Sequence, residues 1–314
     1  MILQKPYVTP CKTFAMSVAG NLERILHNRF DRWLKITTLC FISFCAMPAF
    51  ADCLDQPGPC KLPTGEYHIA RPAGVTGDVP AVMFLHGYGS NGAETTKNTG
   101  MVNAILARGY AVIAPSGRAA DGSEGKEWSF NPDWPETRNE TAFLRAVLTD
   151  AAAKYGIERD HILLAGFSIG GSMTAYAACK DPSLARAYAP VAGNFWRPYP
   201  ATCAGPVKLL HTHGWTDSTM PLEGRAFGKQ DGTEGQISQG LVSQGDVFHA
   251  MELWRTANGC SKMPADAFEI VGDFWHRRWD HCAPGSALEF VMWPGTHAIP
   301  KGWADMALDW FEGL

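Results

Sequence analysis

Ser168 stands in Gly166-Phe167-Ser168-Ile169-Gly170-Gly171, directly after a strand-like stretch and directly before a run of small apolar residues. The flanking glycines leave room for a sharp strand-to-helix turn that would lift the hydroxyl out of a sheet, the geometry of a nucleophile elbow. A serine hydroxyl is a weak nucleophile. It needs a base within hydrogen-bond reach, and that base needs a carboxylate to orient it. Both occur downstream, in the chain order Ser, Asp, His. Asp217 closes His211-Thr212-His213-Gly214-Trp215-Thr216-Asp217, just past a strand, and is the expected acid. His297 closes Pro294-Gly295-Thr296-His297, between the last strand and the last helix, and is the expected base. A developing oxyanion needs donors fixed before reaction. The Ile169 amide, at the mouth of the helix after the serine, is one. The Tyr88 amide, in the glycine turn His86-Gly87-Tyr88-Gly89, is the expected second. These residue types in this order describe acyl transfer through an acyl-serine. They fix the acyl chemistry and not the leaving group, so a peptidase or thioesterase stays open beside an esterase.

Other polar residues compete for these roles. His211 and His213 alternate on one strand and share a face, as a metal pair would. No carboxylate cluster or third ligand stands near them in the sequence, and there is no Cys-x-x-Cys. Neither metal nor cofactor is expected. Asp273, His276, Asp280 and His281 fall in or beside an expected hairpin over Phe268 to Cys282 with its turn at Gly272-Asp273. Asp280 with His281 is the alternative acid and base if that hairpin folds over the site.

Positioning the serine takes a sheet. Pro80 to Leu85 reads as a buried strand running into the glycine turn, and a helix is expected near Ala93 to Ala107. Tyr110 to Ala114, His161 to Ala165, Arg186 to Val191, Val207 to His213 and Leu288 to Trp293 read as further strands. Glu140 to Tyr155 repeats apolar residues at helical spacing and stops at Gly156; Ile169 to Cys179 suits a buried helix. Trp303, Met306, Ala307, Trp310, Phe311 and Leu314 predict a closing amphipathic helix. Strands alternating with helices imply an α/β fold, a mostly parallel sheet covered on both faces. Two stretches interrupt it: Ser116 to Arg138, with Trp128, Phe130 and Trp134, and Gly228 to Gly245, rich in Gly, Gln and Ser. Long loops of this kind are surface excursions or functional lids.

The chain has 314 residues, 46% of them apolar and 18% charged, ample for one large core and unlike a disordered chain. Residues 1 to 51 hold six basic and two acidic residues, and the other 263 carry 21 basic and 29 acidic, the wrong sign for a nucleic-acid binder. Arg29, Arg32 and Lys35 precede an uncharged run from Ile36 to Phe50 that ends in Ala49-Phe50-Ala51. That pattern predicts a signal peptide over 1–51 with cleavage after Ala51, or a start at Met16 if the upstream residues are an extension. A membrane span needs roughly 20 apolar residues, so no membrane attachment is expected once the signal is gone. A single domain is expected over 52–314. Nine cysteines fall to six when Cys11, Cys40 and Cys45 leave, an even number that suits disulfides in an oxidising compartment. Proximity favours Cys53 with Cys60, Cys179 with Cys203 and Cys260 with Cys282.

These residues resemble the α/β-hydrolase superfamily, and more narrowly the secreted esterases grouped as the polyhydroxybutyrate depolymerase and feruloyl esterase family. The carriers are Leu85-His86-Gly87, Ala142-Phe143-Leu144-Arg145-Ala146-Val147, the serine motif, His213-Gly214-Trp215-Thr216-Asp217 and Gly295-Thr296-His297, from about Leu62 onward. The resemblance implies a secreted serine esterase with its triad on Ser168, Asp217 and His297. Two departures weigh against a crystalline-polyester role. Tyr88 stands where many polyester depolymerases of this group carry cysteine, and no polymer-binding module is expected after Leu314. Tyr88, Trp128, Phe195, Trp196 and Trp215 are the aromatic residues expected to contact substrate, favouring feruloyl or acetyl-xylan esters, small or oligomeric, over long lipid chains. Hydroxybutyrate oligomers are the rival substrate. A non-catalytic binding protein of the same fold is the rival of another class.

Overall fold

A computed structural model describes residues 53–54, 58–119, 126–132, 136–227 and 242–314. The expected signal segment, Trp134 and residues 228–241 of the second long loop lie outside the described residues.

In chain order the elements are β1 (Cys60–Leu62), β2 (Gly65–Ala70), β3 (Val79–Leu85), α1 (Gly92–Thr96), α2 (Thr99–Ala107), β4 (Ala111–Pro115), β5 (Arg118–Ala119), β6 (Lys126–Glu127) and α3 (Glu140–Tyr155). They continue with β7 (Ile157–Phe167), α4 (Ile169–Lys180), β8 (Ala187–Val191), β9 (Trp196–Arg197), β10 (Lys208–Gly214), β11 (Ala226–Phe227) and β12 (Val242–Gln244). The last are α5 (Val247–Ala257), β13 (Ala267–Val271), β14 (Phe274–Trp279), β15 (Ala287–Trp293) and α6 (Trp303–Glu312). Ten strands form one sheet in the order β1-β2-β4-β3-β7-β8-β10-β15-β14-β13. The six central strands, β4 to β15 in that order, are all parallel; an antiparallel hairpin extends the sheet at each side. The C-terminal ends of β3, β7, β10 and β15 therefore meet at one edge, where parallel sheets carry their sites.

Side chains along β3 alternate between two cores, as the period of a strand requires. Val79, Ala81, Met83 and Leu85 join a cluster with Phe143 of α3, Met173 of α4 and Trp254 of α5. Val82 and Phe84 join a second cluster with Val102 and Ile105 of α2 and Trp303 and Phe311 of α6. Both faces are thus covered. α3 begins where the Asn139 side chain accepts from the Ala142 amide and ends at Gly156 in the left-handed region.

The structure differs from expectation in local ways. The helix expected over Ala93 to Ala107 is two, because the α1 ladder ends at Lys97 and the Asn98 side chain caps a new start through the Met101 amide. The hairpin turning at Gly272-Asp273 is β13 and β14, and β14 joins the main sheet beside β15. β1, β2 and α5 were not expected from the sequence. α5 had a legible signal: Val247, Ala250, Met251 and Trp254 repeat at helical spacing and are its buried residues, and Asp246 caps it. Three disulfides join Cys53 to Cys60, Cys179 to Cys203 and Cys260 to Cys282. No helix among the described residues is long and apolar enough to cross a membrane.

Candidate active site

The turn from β7 into α4 puts Ser168 at φ 59°, ψ −124°, a strained conformation for a residue with a Cβ. Its neighbours allow it. A Cβ on Gly170 would stand 2.2 Å from the Leu85 carbonyl oxygen, and one on Gly193 2.0 Å from the Ser168 carbonyl oxygen, so only glycine lets the chains approach this closely. The Ser168 amide is tied to the Val191 carbonyl at 2.9 Å, which couples the elbow to the end of β8.

Ser168, His297 and Asp217 form one hydrogen-bonded line. The Ser168 hydroxyl meets His297 Nε2 at 2.9 Å, and His297 Nδ1–H donates to Asp217 Oδ2 at 2.7 Å. The other carboxylate oxygen accepts from the Thr219 and Met220 amides at 2.9 and 2.8 Å. Burial disfavours the Asp217 anion, but the hydrogen bonds from His297 and the Met220 amide outweigh it and hold the carboxyl below its ordinary range. Phe167 stacks obliquely on the His297 ring at 4.8 Å. The arrangement can activate a hydroxyl and hold the resulting imidazolium against a carboxylate.

Among the described residues, neither the Tyr88 nor the Ile169 amide donates to a protein acceptor. Ile169 begins α4, whose N-terminus has no side-chain cap. Tyr88 follows a peptide held by His86: the ring's Nδ1–H donates to the Gly87 carbonyl at 2.7 Å, while its Nε2 accepts from the Gly117 amide at 2.8 Å. Because a trans peptide sets N–H opposite C=O, fixing the Gly87 carbonyl fixes the direction of the Tyr88 N–H. Burial lowers the His86 pKa to about 4, so the ring stays neutral and keeps this tautomer.

One supporting network was not read from the sequence. The buried Arg138 guanidinium donates twice to Glu140 Oε2, at 3.0 and 2.7 Å, and also to the Thr64 and Ser116 carbonyls. It lies 3.7 Å over the Phe143 ring, and Glu140 Oε1 accepts from the Ser129 amide at 3.3 Å. The pair ties the first long loop to the strand ends beside His86. Sequence spacing gave no hint, since a buried ion pair two residues apart looks like any charged helix start.

The expected substrate aromatics divide. Tyr88 and Trp215 are exposed, at 66% and 53%. Trp128, Phe195 and Trp196 are buried, so of the five expected substrate contacts Tyr88 and Trp215 present exposed rings. The Trp128 indole N–H binds the His86 carbonyl at 2.9 Å, and that of Trp196 binds Ser172 Oγ at 3.0 Å. Phe195 packs against Tyr176 and Trp254. A cavity of about 610 Å³ beside α4 is lined by Phe130, Met173, Tyr176 and Tyr199, among others, and not by Ser168, Asp217 or His297. The competing acid and base residues are engaged elsewhere: His276 with Glu289, Asp280 with Arg278, and His281 with Asp266. Among the described residues no group of three His, Cys, Asp or Glu side chains could hold a metal.

With this geometry in place, similarity to known proteins adds a class. The family described as alpha/beta hydrolase fold matches residues 80–209, from the first residues of β3 into β10. The chain is 30% identical over 182 residues to the Nocardia uniformis subsp. tsuyamanensis protein named "Putative esterase NocK", covering 56% of this chain and 47% of that protein. It is 26% identical over 206 residues to feruloyl esterase B of Piromyces equi, covering 62% of this chain and 36% of that protein. The chain therefore spans about half the length, or less, of these curated relatives. Among solved structures, an acetyl xylan esterase from Aspergillus awamori superposes with a TM-score of 0.56 at 15% identity, over 80% of this chain and 96% of that one. The chain has the α/β-hydrolase fold, and the resemblance read from its motifs holds at that level.

Proposed function

We propose that this chain is an exported serine carboxylesterase. The observation that carries the reading is His297, hydrogen-bonded to Ser168 at 2.9 Å on one ring nitrogen and to Asp217 at 2.7 Å on the other. Ser168 Oγ attacks the ester carbonyl carbon while His297 Nε2 takes its proton, and Asp217 stabilises the imidazolium. The Ile169 and Tyr88 amides receive the oxyanion. The tetrahedral intermediate collapses, the C–O bond to the alcohol breaks, and His297 returns the proton to the departing oxygen. Water then attacks the acyl-serine by the same path, releasing the acid and restoring the hydroxyl.

For substrate, the reading is a feruloyl or acetyl-xylan type ester. Tyr88 carries an amide that would hold the oxyanion and Trp215 stands two residues before the acid; both rings are exposed, and such rings stack on flat acyl groups or sugar faces. The names of two relatives, feruloyl esterase B and a bifunctional acetylxylan esterase/xylanase of Neocallimastix patriciarum, support the same class. Export is supported by three disulfides, which persist in oxidising compartments. Comparing kcat/KM on methyl ferulate, acetylated xylan, hydroxybutyrate dimers and a long-chain triglyceride tests the substrate. Preference for the first two is expected; preference for the triglyceride, or turnover of none, overturns the reading.

A further inference from the structure

The proposed triad makes no use of His211 and His213, yet both are buried beside its acid. His213 Nε2 lies 2.7 Å from the Met220 carbonyl oxygen and 3.6 Å from Asp217 Oδ2. A carbonyl only accepts, so Nε2 carries the proton and Nδ1 offers a lone pair. His211 Nε2, 3.1 Å from that Nδ1, donates to it in turn, and the two rings are within 6° of parallel. Burial drives His211 well below its ordinary range. It also lowers His213, although the Met220 carbonyl and Asp217 pull the other way. Both shifts favour the neutral ring. The titratable groups facing His213 are His211, Asp217 and His297. A metal would need the His213 nitrogens that Met220 and His211 already occupy.

Met220 is also where the acid is held, because its amide donates to Asp217 Oδ1. The turn from Asp217 to Met220 is thus clamped twice: amide to carboxylate inside the turn, and carbonyl to His213 to His211 from β10. The register of β10 with β15 sets His211 opposite Phe290 and His213 opposite Met292, so the pair is anchored in the strand neighbouring the one that leads to His297.

Resting on the esterase reading, we propose that His213, backed by His211, is a positioning residue for Asp217. The pair fixes the turn that aims Oδ2 at His297 Nδ1. It sets a ring nitrogen 3.6 Å from Oδ2 without adding a second cation that would compete with His297 for the carboxylate.

The test is kcat and KM across pH for His213→Leu and His213→Gln in the full chain, on a short p-nitrophenyl ester. His213→Leu is expected to lower kcat about tenfold or more, as a misplaced catalytic group does, with KM little changed. The acid limb of its kcat/KM profile should move to lower pH, because the imidazolium loses an aligned carboxylate. Glutamine, whose amide N–H can reach the Met220 carbonyl, should restore most of both. Wild-type kcat and acid limb in His213→Leu overturn the proposal, as does a loss that glutamine leaves unrepaired. If circular dichroism shows that His213→Leu does not fold, His211→Phe replaces it, with the same directions expected at about threefold in kcat and an unchanged profile again decisive against. A wild-type protein that hydrolyses no ester retires the esterase reading by itself. The downfield NMR signal of the His297 Nδ1 proton, expected in the wild type and lost in His213→Leu, then decides the positioning role.

Discussion

The Gly117 amide donates to Nε2 of His86 at 2.8 Å, and this contact sets which nitrogen of the imidazole is free to donate. The proton is left on Nδ1, where it pins the Gly87 carbonyl. His86→Phe keeps a ring against Trp128 and removes both hydrogen bonds. Its expected effect is a fall in kcat of about 10- to 100-fold with KM little changed, since the Tyr88 amide proposed as an oxyanion donor loses its fixed direction. Steady-state kinetics on a soluble ester check it, and an unchanged kcat counts against the Tyr88 assignment.

The Arg138–Glu140 pair is almost wholly buried, so removing one partner strands the other charge. Arg138→Met should destabilise the fold by about 3 to 5 kcal/mol. The double change with Glu140→Leu should recover much of that. Urea unfolding of the three proteins measures it; equal midpoints for wild type and Arg138→Met would show the pair to be incidental.

Stability should fall as the medium is acidified. Burial keeps His86 neutral down to about pH 4, whereas the unfolded chain binds that proton near the ordinary value of 6.5. Between those values the unfolded state holds more protons, so His86 favours unfolding as pH drops through the window, by up to about 3 kcal/mol. His211 and His213 are shifted in the same direction. Asp217, shifted down, adds its own loss only below the ordinary carboxylate range. Urea midpoints at pH 7.5, 5.5 and 4.5 should decline, and less steeply in His86→Phe. A flat series contradicts the buried neutral histidines.

Cys179 and Cys203 close a loop of sequence separation 24 between the end of α4 and the segment before β10. Replacing both with alanine should cost about 3 kcal/mol through the unfolded chain's regained entropy. Tm with and without reductant reads the effect, and a variant as stable as the oxidised wild type contradicts it.

Much of the sheet was legible because its strands are continuous apolar runs that end in turn chemistry, as Pro80 to Leu85 does before His86-Gly87. Ser168, Asp217 and His297 could be picked out because each follows a strand, and a parallel sheet brings strand ends to one edge. The aromatic residues were less legible. Trp128 and Trp215 look alike in sequence, yet the indole of one is sequestered by the His86 carbonyl while the other stands 53% exposed. The His211–His213 pair was visible as alternation on one face, but its partner Met220 acts through a backbone carbonyl, which no residue type announces. β2 escaped because its antiparallel pairing depends on a partner distant in sequence, such as Tyr67 against Pro115, and the three-residue β1 pairs with β2 across a tight turn.

The most direct test of the central claim is covalent labelling of purified protein by an organophosphonate, read by intact mass and peptide mapping alongside ester turnover. The account predicts one adduct, on Ser168, with turnover lost as the adduct forms. It also predicts that Ser168→Ala takes no label and has lost activity on the order of 10⁴-fold or more. An unlabelled Ser168 in a protein that still hydrolyses ester at its full rate would contradict it.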